Sequence, residues 1–525
     1  MQVDLFHEIL LWPLRLEETG REHPGLVERE RILDAWGGCI TNKHWEEARD
    51  PFSRGISSSE STRYAEYVYF HPFVQRFLYG DDKTRPALRL FTRHDIKGMR
   101  VGMSGQSADL NVERVHLYLD ARVALLVVEV SAKEVPLELV EDLQDQIRRV
   151  YPPFFLSGHP GLCPDSVQWL DERNEPYGRA SDYADMNGYM RQFKADHVVP
   201  VAAHWQFLLE PLEPFTPGKP QGTLSYKQVE DERMQAMSYL AVRNPFEITR
   251  DHFVRLALYD SHGDAGKLPY AEEFLSDFER AHCYDRFWDR KGGYSTRILC
   301  SGYGFTMIGD STWAGFVDES HGLLAHFRHH YFQLGLILHF QKASLLVLVD
   351  RLYQAVTALA ESSSMEKFRR LVQKGHEDVI EFTSRSWFME ASNQVQPREL
   401  FKLWGDHLGT EALYSKVMKE MASVNEVLHG IRQRHQTESL LILTVVATCG
   451  LALSLTINFL GMGEFIARGY EQLFKELVPW SGWIQGWVIF VLTAFGFFCF
   501  VLCLKSLYRS EKFRGLFERK DDRRL

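Results

Sequence analysis

Cysteine is scarce in this chain. The seven residues include four scattered ones, Cys39, Cys163, Cys283 and Cys300, and three, Cys449, Cys499 and Cys503, inside apolar runs. None stand in CxxC spacing, which argues against a zinc ribbon or a disulfide framework. Catalytic signatures are missing as well. There is no HExxH and no Ser-His-Asp motif context, and the glycines of "SGYGF" (Ser301 to Phe305) and "HDIKGMRVGMSG" (His94 to Gly105) lack a Walker lysine or Rossmann spacing and read as turns. The expectation is a protein that is not an enzyme and holds no cofactor. Positive charge is not in excess either: the formal net charge is -10, which disfavours nucleic acid as a partner. The opening "MQVDLFHEILLWPLRLEETG" has no basic n-region and no small-residue cleavage site, so no signal peptide is expected.

Charge itself is missing from two long stretches. The first, "LLILTVVATCGLALSLTINFLGMG", runs from Leu440 to Gly463. From Ser439 it spans about 25 residues, roughly 37 Å of helix and enough to cross a bilayer core. The second, Leu477 to Leu504, opens with Trp480, Trp483 and Trp487, where an aromatic belt would meet the headgroups. The expected layout is a first span at 439–463, an outer loop at 464–480, a second span at 481–504 and a basic tail at 505–525. Arg432 and Arg434 precede the first span. Lys505, Arg509, Lys512, Arg514, Arg519, Lys520, Arg523 and Arg524 follow the second. By the positive-inside rule both termini face the cytoplasm, in a cell inner membrane crossed twice.

What remains is the larger part. With 45% apolar and 25% charged residues overall, the chain before the spans reads as an ordinary globular protein. Strand-like runs are expected at Glu66 to Gly80, Ala87 to Arg93, Arg114 to Ala132 (two strands joined at Asp120 and Ala121) and His204 to Leu212. An amphipathic helix is expected at Pro136 to Tyr151. These give an α+β cytoplasmic domain over 1–320. The proline-rich 210–222 is either a linker or a surface excursion. The region 321–438 is helical. It opens with the apolar run His321 to Ala360, which Arg328, Lys342, Asp350 and His339 mark as a buried core helix rather than a span. It ends in a stalk helix from about 397, opened by Pro397 and continuing to Leu460. Tyr414, Val417, Met421, Val424, Leu428 and Ile431, alternating by three and four residues, form a coiled-coil seam that packs either on copies of itself or on its own domain.

The spans carry a more specific pattern. Leu443-Thr444-Val445-Val446-Ala447-Thr448 followed by Gly461-Met462 resembles the first span of the CorA-type divalent metal ion (magnesium/cobalt) transporter family, which has an "LTxxAT" step and ends in Gly-Met-Asn at the outer mouth of a pentameric pore. The resemblance covers about 110 to 130 residues at the C-terminal end, where two spans, a short outer loop and a basic tail match. It implies long stalk helices, two C-terminal transmembrane helices and a CorA-like oligomeric channel. The implied activity is passive, gated flux of divalent metal cations such as magnesium, as substrate or regulator, through a homopentamer in contact with membrane lipid. Two positions depart from the family: Gly463 stands in place of the asparagine and Ala452 in place of a common proline. The asparagine amide would present a ring of side-chain carbonyls to a hydrated cation, whereas Gly463 has only its backbone carbonyl.

On this reading Thr444, Thr448, Leu451, Leu455 and Asn458 line the pore, and Gly461, Met462 and Gly463 form its mouth and selectivity region. Thr437, Thr444, Thr448 and Asn458 fall within one half-cylinder of the helix, with Leu440, Leu451 and Leu455 close by. Threonines that face lipid and bond back to their own backbone are the other explanation. Glu464, Glu471 and Glu476 would attract cations at the entrance if repeated around a ring. In a single chain they belong to a short amphipathic helix on the interface. His326 and His330, four apart, have a metal-compatible spacing but no matching carboxylate or cysteine, so a helix surface or core role is expected and any metal is unknown. Two other functions stay open: a membrane effector opened by a cytoplasmic signal such as a nucleotide, and a scaffold that passes nothing.

Overall fold

The computed structural model describes residues 1–18, 29–41, 44–48, 60–81, 85–103, 105–216, 224–264, 266–290, 295–360 and 365–473, with Trp487, Val491 and Phe498 as single helical positions. The chain divides into two units, Met1–Ala422 and Ser423–Leu525.

The first unit is built around the opening strand, Gln2–Glu18. Side chains alternate across a strand, and here both sets are apolar: Phe6, Leu10, Trp12 and Leu14 enter one core, Leu5, Ile9 and Leu11 the other. A strand buried on both faces belongs at the centre of a sheet. On one side it pairs antiparallel along nearly its whole length with Val123–Pro136. On the other it pairs first with Gln235–Val242, up to Leu11↔Gln235, and then with Leu224–Gln228, from Leu14↔Gln228. Pro13, which has no N–H to donate, sits where one neighbour hands over to the next.

Outward from the centre the sheet continues through Gln106–Leu119, Gly98–Met103 and Ser166–Leu170 on one side, and through Gly304–Asp310, Thr296–Cys300 and Cys283–Phe287 on the other. Among the described residues it has 14 strands. It is mixed, because Gln235–Val242 and Gly304–Asp310 run parallel. The fold class is α+β, with the sheet covered on both faces. One cover includes the helices Leu137–Gln146, Ala203–Leu209 and Arg250–Leu258, and the other Pro72–Tyr79, Phe332–Ala360 and Val395–Leu408.

Several expectations change. Glu66 to Gly80 is not a strand but the end of the helix Glu60–Val68 followed by Pro72–Tyr79, and His204 to Leu212 is mostly the helix Ala203–Leu209. The stretch 210–222 is an excursion within the sheet: Glu213–Pro214 pairs in parallel with Leu224–Gln228, while 217–223 lie outside the described residues. The boundary at 320 does not divide the fold. Phe332, Leu336, Ile337 and Phe340 pack in the same core as Ile9 and Tyr239, so the helices after it complete the sheet's second cover.

Among the described residues, one helical stretch is long and apolar enough to cross a membrane by length and composition, Leu323–Thr357, and its most apolar 18 residues are 83% buried within the protein. It contains a π-helical turn, Phe327–Tyr331, that aims Arg328 inward. Arg328 donates to Glu129 (2.6 Å), which also receives Arg114 (2.7 Å) and lies 3.3 Å from His7. This buried cluster fixes the helix to the sheet.

Candidate functional site

The stalk is not one helix from Pro397. Val395–Leu408 ends at Gly409, whose φ of 67° lies in the left-handed region, and a second helix runs over Thr410–Leu473. A side chain at that φ costs roughly 1 kcal/mol or more, so glycine is the residue that lets one helix end and the next begin without a loop. The terminal helix also continues past Gly463 through ten positions expected in the outer loop.

The first turns of this helix settle part of the seam. Val417 and Met421 are buried with Leu345, Leu348 and Leu352 of the core helix and Val379 and Phe382 of Met365–Arg385. Tyr414 stacks on Trp387, with ring centroids 4.3 Å apart and planes at 6°. The lower seam is therefore occupied by the chain's own domain. Val424 and Leu428 are only half-buried, and the side chain of Ile431 lies outside the described residues.

Charge organises the same helix bundle. Arg122, in the turn of the central hairpin, reaches Asp120 (3.6 Å), Asp378 (3.6 Å) and Glu381 (3.1 Å), and Arg351 pairs with Asp378. Arg15 of the opening strand pairs with Asp350. The sheet end and the two helices beside the stalk are thus joined through buried or half-buried ion pairs, whose loss on one side would leave an uncompensated charge.

Along the uncharged stretch, Thr444 Oγ1 donates to the Leu440 carbonyl (2.7 Å) and Thr448 Oγ1 to the Thr444 carbonyl (2.8 Å). Such bonds satisfy each hydroxyl's donor within the helix and leave its lone pairs available. Thr444, Thr448 and Leu451 are exposed in the single chain, as are Leu440, Leu443 and Val446. With Leu441 and Ile442, six large aliphatic side chains are exposed within twelve positions, and they call for an apolar covering. Leu455, Asn458, Gly461, Met462, Gly463, Glu464 and Glu471 are helical in backbone, with side chains outside the described residues. Glu476, the tail and the second span, apart from three single positions, also lie outside them.

The histidines expected to have a structural role are packed together. His326 and His330 rings are 4.5 Å apart at 24°, His330 sits against Tyr69 (4.3 Å), and burial pushes His330 down to about 4. Among the described residues no group of three or more His, Cys, Asp or Glu side chains is placed to hold a metal ion. Comparison with protein-family models, with curated proteins and with solved structures gives no match.

Proposed function

We propose that the protein is a CorA-like channel or transporter that passes metal cations down their electrochemical gradient. The pore is lined by the first span in a homopentamer, and the protein sits in the inner membrane with two spans and both termini cytoplasmic. The observation that carries this reading is the uncharged segment of the terminal helix, which bears Leu443-Thr444-Val445-Val446-Ala447-Thr448 and Gly461-Met462 at the family's spacing and begins as a continuation of a helix packed on the soluble domain. Threonine and asparagine rings stabilise water and ions in such a pore, and leucine rings gate it by dewetting. A domain that packs against the first turns of the pore helix in a three-helix contact can open or close it by a small rearrangement.

Gly463 in place of asparagine favours a second version of the same architecture, an effector opened by a cytoplasmic signal that discriminates little between ions. Reconstitution in liposomes tests both. Selective uptake of magnesium, cobalt, nickel or zinc supports the transporter. Unselective flux that includes sodium and requires a ligand supports the effector. A complete lack of flux with every ion in correctly assembled oligomers leaves only a membrane scaffold.

A further inference from the structure

Beside the sheet edge formed by Cys283–Phe287 and Thr296–Cys300 lies a cavity of about 560 Å³, within the size range of small-molecule sites. Its walls are aromatic and guanidinium surfaces from three separate segments. Phe246 and Trp288 have ring centroids 4.3 Å apart at 39°, and Phe253 meets Trp288 edge-on at 5.6 Å. Arg290 lies 5.2 Å from the Phe246 ring centre, and Arg297 lies 4.6 Å from Phe253 and 5.2 Å from Trp288.

The charges are graded. Arg250 is held by both oxygens of Glu279 (2.8 and 3.1 Å), and Arg297 by both oxygens of Asp285 (2.8 Å each). Arg290 is exposed and makes no ion pair with a carboxylate among the described residues. Two arginines are thus fixed and neutralised, while one remains for an incoming anion. A polyphosphate would meet the carboxylates of Glu279, Asp285 and Asp289 as well as the arginines, so the balance favours a single phosphate. Half-buried Trp288 and Phe246 offer a stacking surface for a planar ring, and the Glu279 carboxylate can accept from a base amino group.

We propose that this cavity binds a nucleoside monophosphate, with its base against Trp288 and Phe246 and its phosphate on Arg290, and that occupancy is transmitted to the terminal helix. The transmission half rests on the channel reading; the binding half does not. Within one turn of Glu279, on the helix Glu272–His282, His407 Nε2 donates to the Ala281 carbonyl (2.8 Å) and the His282 ring stacks on His407 at 4.6 Å and 14°. In the following strand, Tyr284 and Arg286 both donate to Glu399, at 2.6 and 3.0 Å. Glu399 and His407 belong to Val395–Leu408, the helix that ends at Gly409 just before the terminal helix begins. A ligand that draws Glu279 and Trp288 together pulls on the segment that holds this helix.

Calorimetric titration of the full chain in nanodiscs with AMP tests the binding half, with ribose 5-phosphate, adenosine and ATP as comparison probes. The expected result is saturable AMP binding, weaker binding of each comparison probe, and a loss of affinity on the order of tenfold in Trp288→Ala and in Arg290→Ala. Arg290 is exposed, so its substitution leaves folding intact and keeps the test decisive if Trp288→Ala destabilises the domain. No saturable AMP binding, equal binding of ribose 5-phosphate, or unchanged affinity in Arg290→Ala overturns the proposal. In liposomes, AMP should change cation flux at least twofold in the wild type and not in Arg290→Ala. Binding without any flux removes the channel reading and keeps the site, whereas flux without AMP binding removes the site alone.

Discussion

Glu8 and Glu129 are both fully buried on neighbouring strands, and their environments push them in opposite directions. Glu8 faces the core that holds Phe6 and Leu10, and neither of its carboxylate oxygens has a hydrogen-bond partner among the described residues. Burial pushes it up to about 8, with Arg148 opposing only in part. For Glu129, burial alone would raise the value, but the Arg114 and Arg328 guanidiniums and His7 outweigh it and hold the carboxyl well below the usual carboxylate range. The signs follow from linkage. The folded state binds a proton at Glu8 that the unfolded state has lost above its value of 4.5. Stability from this group therefore falls as pH rises from there through about 8, with a slope approaching about 1.4 kcal/mol per pH unit. Glu8→Gln should flatten the fall in melting temperature of the full chain between about pH 4.5 and 8 and make the variant more heat-stable than wild type at pH 8.5. An unaltered profile would mean that Glu8 is solvated. The contribution of Glu129 is present above its unfolded value and is lost as pH falls below it. Glu129→Gln leaves Arg114 and Arg328 incompletely paired in the core, for an expected cost of about 3 kcal/mol or more. Urea midpoints at neutral pH measure it, and a loss under about 1 kcal/mol would show that Glu113, 3.4 Å from Arg328, takes over the pairing.

At the scale of elements, the amphipathic helix after Pro136 and the apolar core helix before Ala360 were legible, whereas two short helices rich in aromatic residues were not. Pro72 at a first helical position and Gly80 just past the end marked the helix Pro72–Tyr79. The β-branched and aromatic residues of "EYVYFHPFVQRFLYG" outvoted those markers, although Val74, Phe77 and Leu78 have helical spacing. In Ala203–Leu209 the residues His204, Trp205, Phe207, Leu208 and Leu209 are all buried, which erases the periodicity that separates helix from strand. The uncharged stretch announced itself by lacking charge. The Phe246–Trp288–Arg290 cavity could not be read, because its residues come from distant segments and no spacing motif joins them. Gly409 is the element boundary with the sharpest test. At its positive φ, Gly409→Ala should cost about 1 kcal/mol, and Gly409→Asn less, since asparagine tolerates the left-handed region. Thermal unfolding of the full-length variants checks the order. If alanine is harmless, the two helices have merged into the single stalk that Pro397 suggested.

At the scale of the molecule, one chain leaves Leu440, Leu443, Val446 and Leu451 exposed. Lipid covers such side chains equally well in a monomer and in an oligomer. The upper seam residues Val424 and Leu428, half-buried outside the uncharged stretch, are what distinguish the two, and mass measurement in detergent decides whether copies associate. The proposed assembly would give Gly463 its meaning. In the proposed ring, the backbone at Gly463 is part of the helix Thr410–Leu473, whereas an asparagine would add one side-chain carbonyl per subunit at the mouth. Magnesium dehydrates reluctantly and is best held through its water shell by such oxygens. Gly463→Asn should therefore sharpen the preference for hydrated divalent cations over sodium in liposome flux. The change should appear in selectivity rather than in assembly, since the substituted residue lies at the outer end of the proposed span. If the asparagine variant assembles and its ion preference equals that of wild type, the filter is elsewhere along the helix and Gly461, Met462 and Gly463 are not the mouth. If wild type passes nothing and the variant passes magnesium, the glycine itself is the closure.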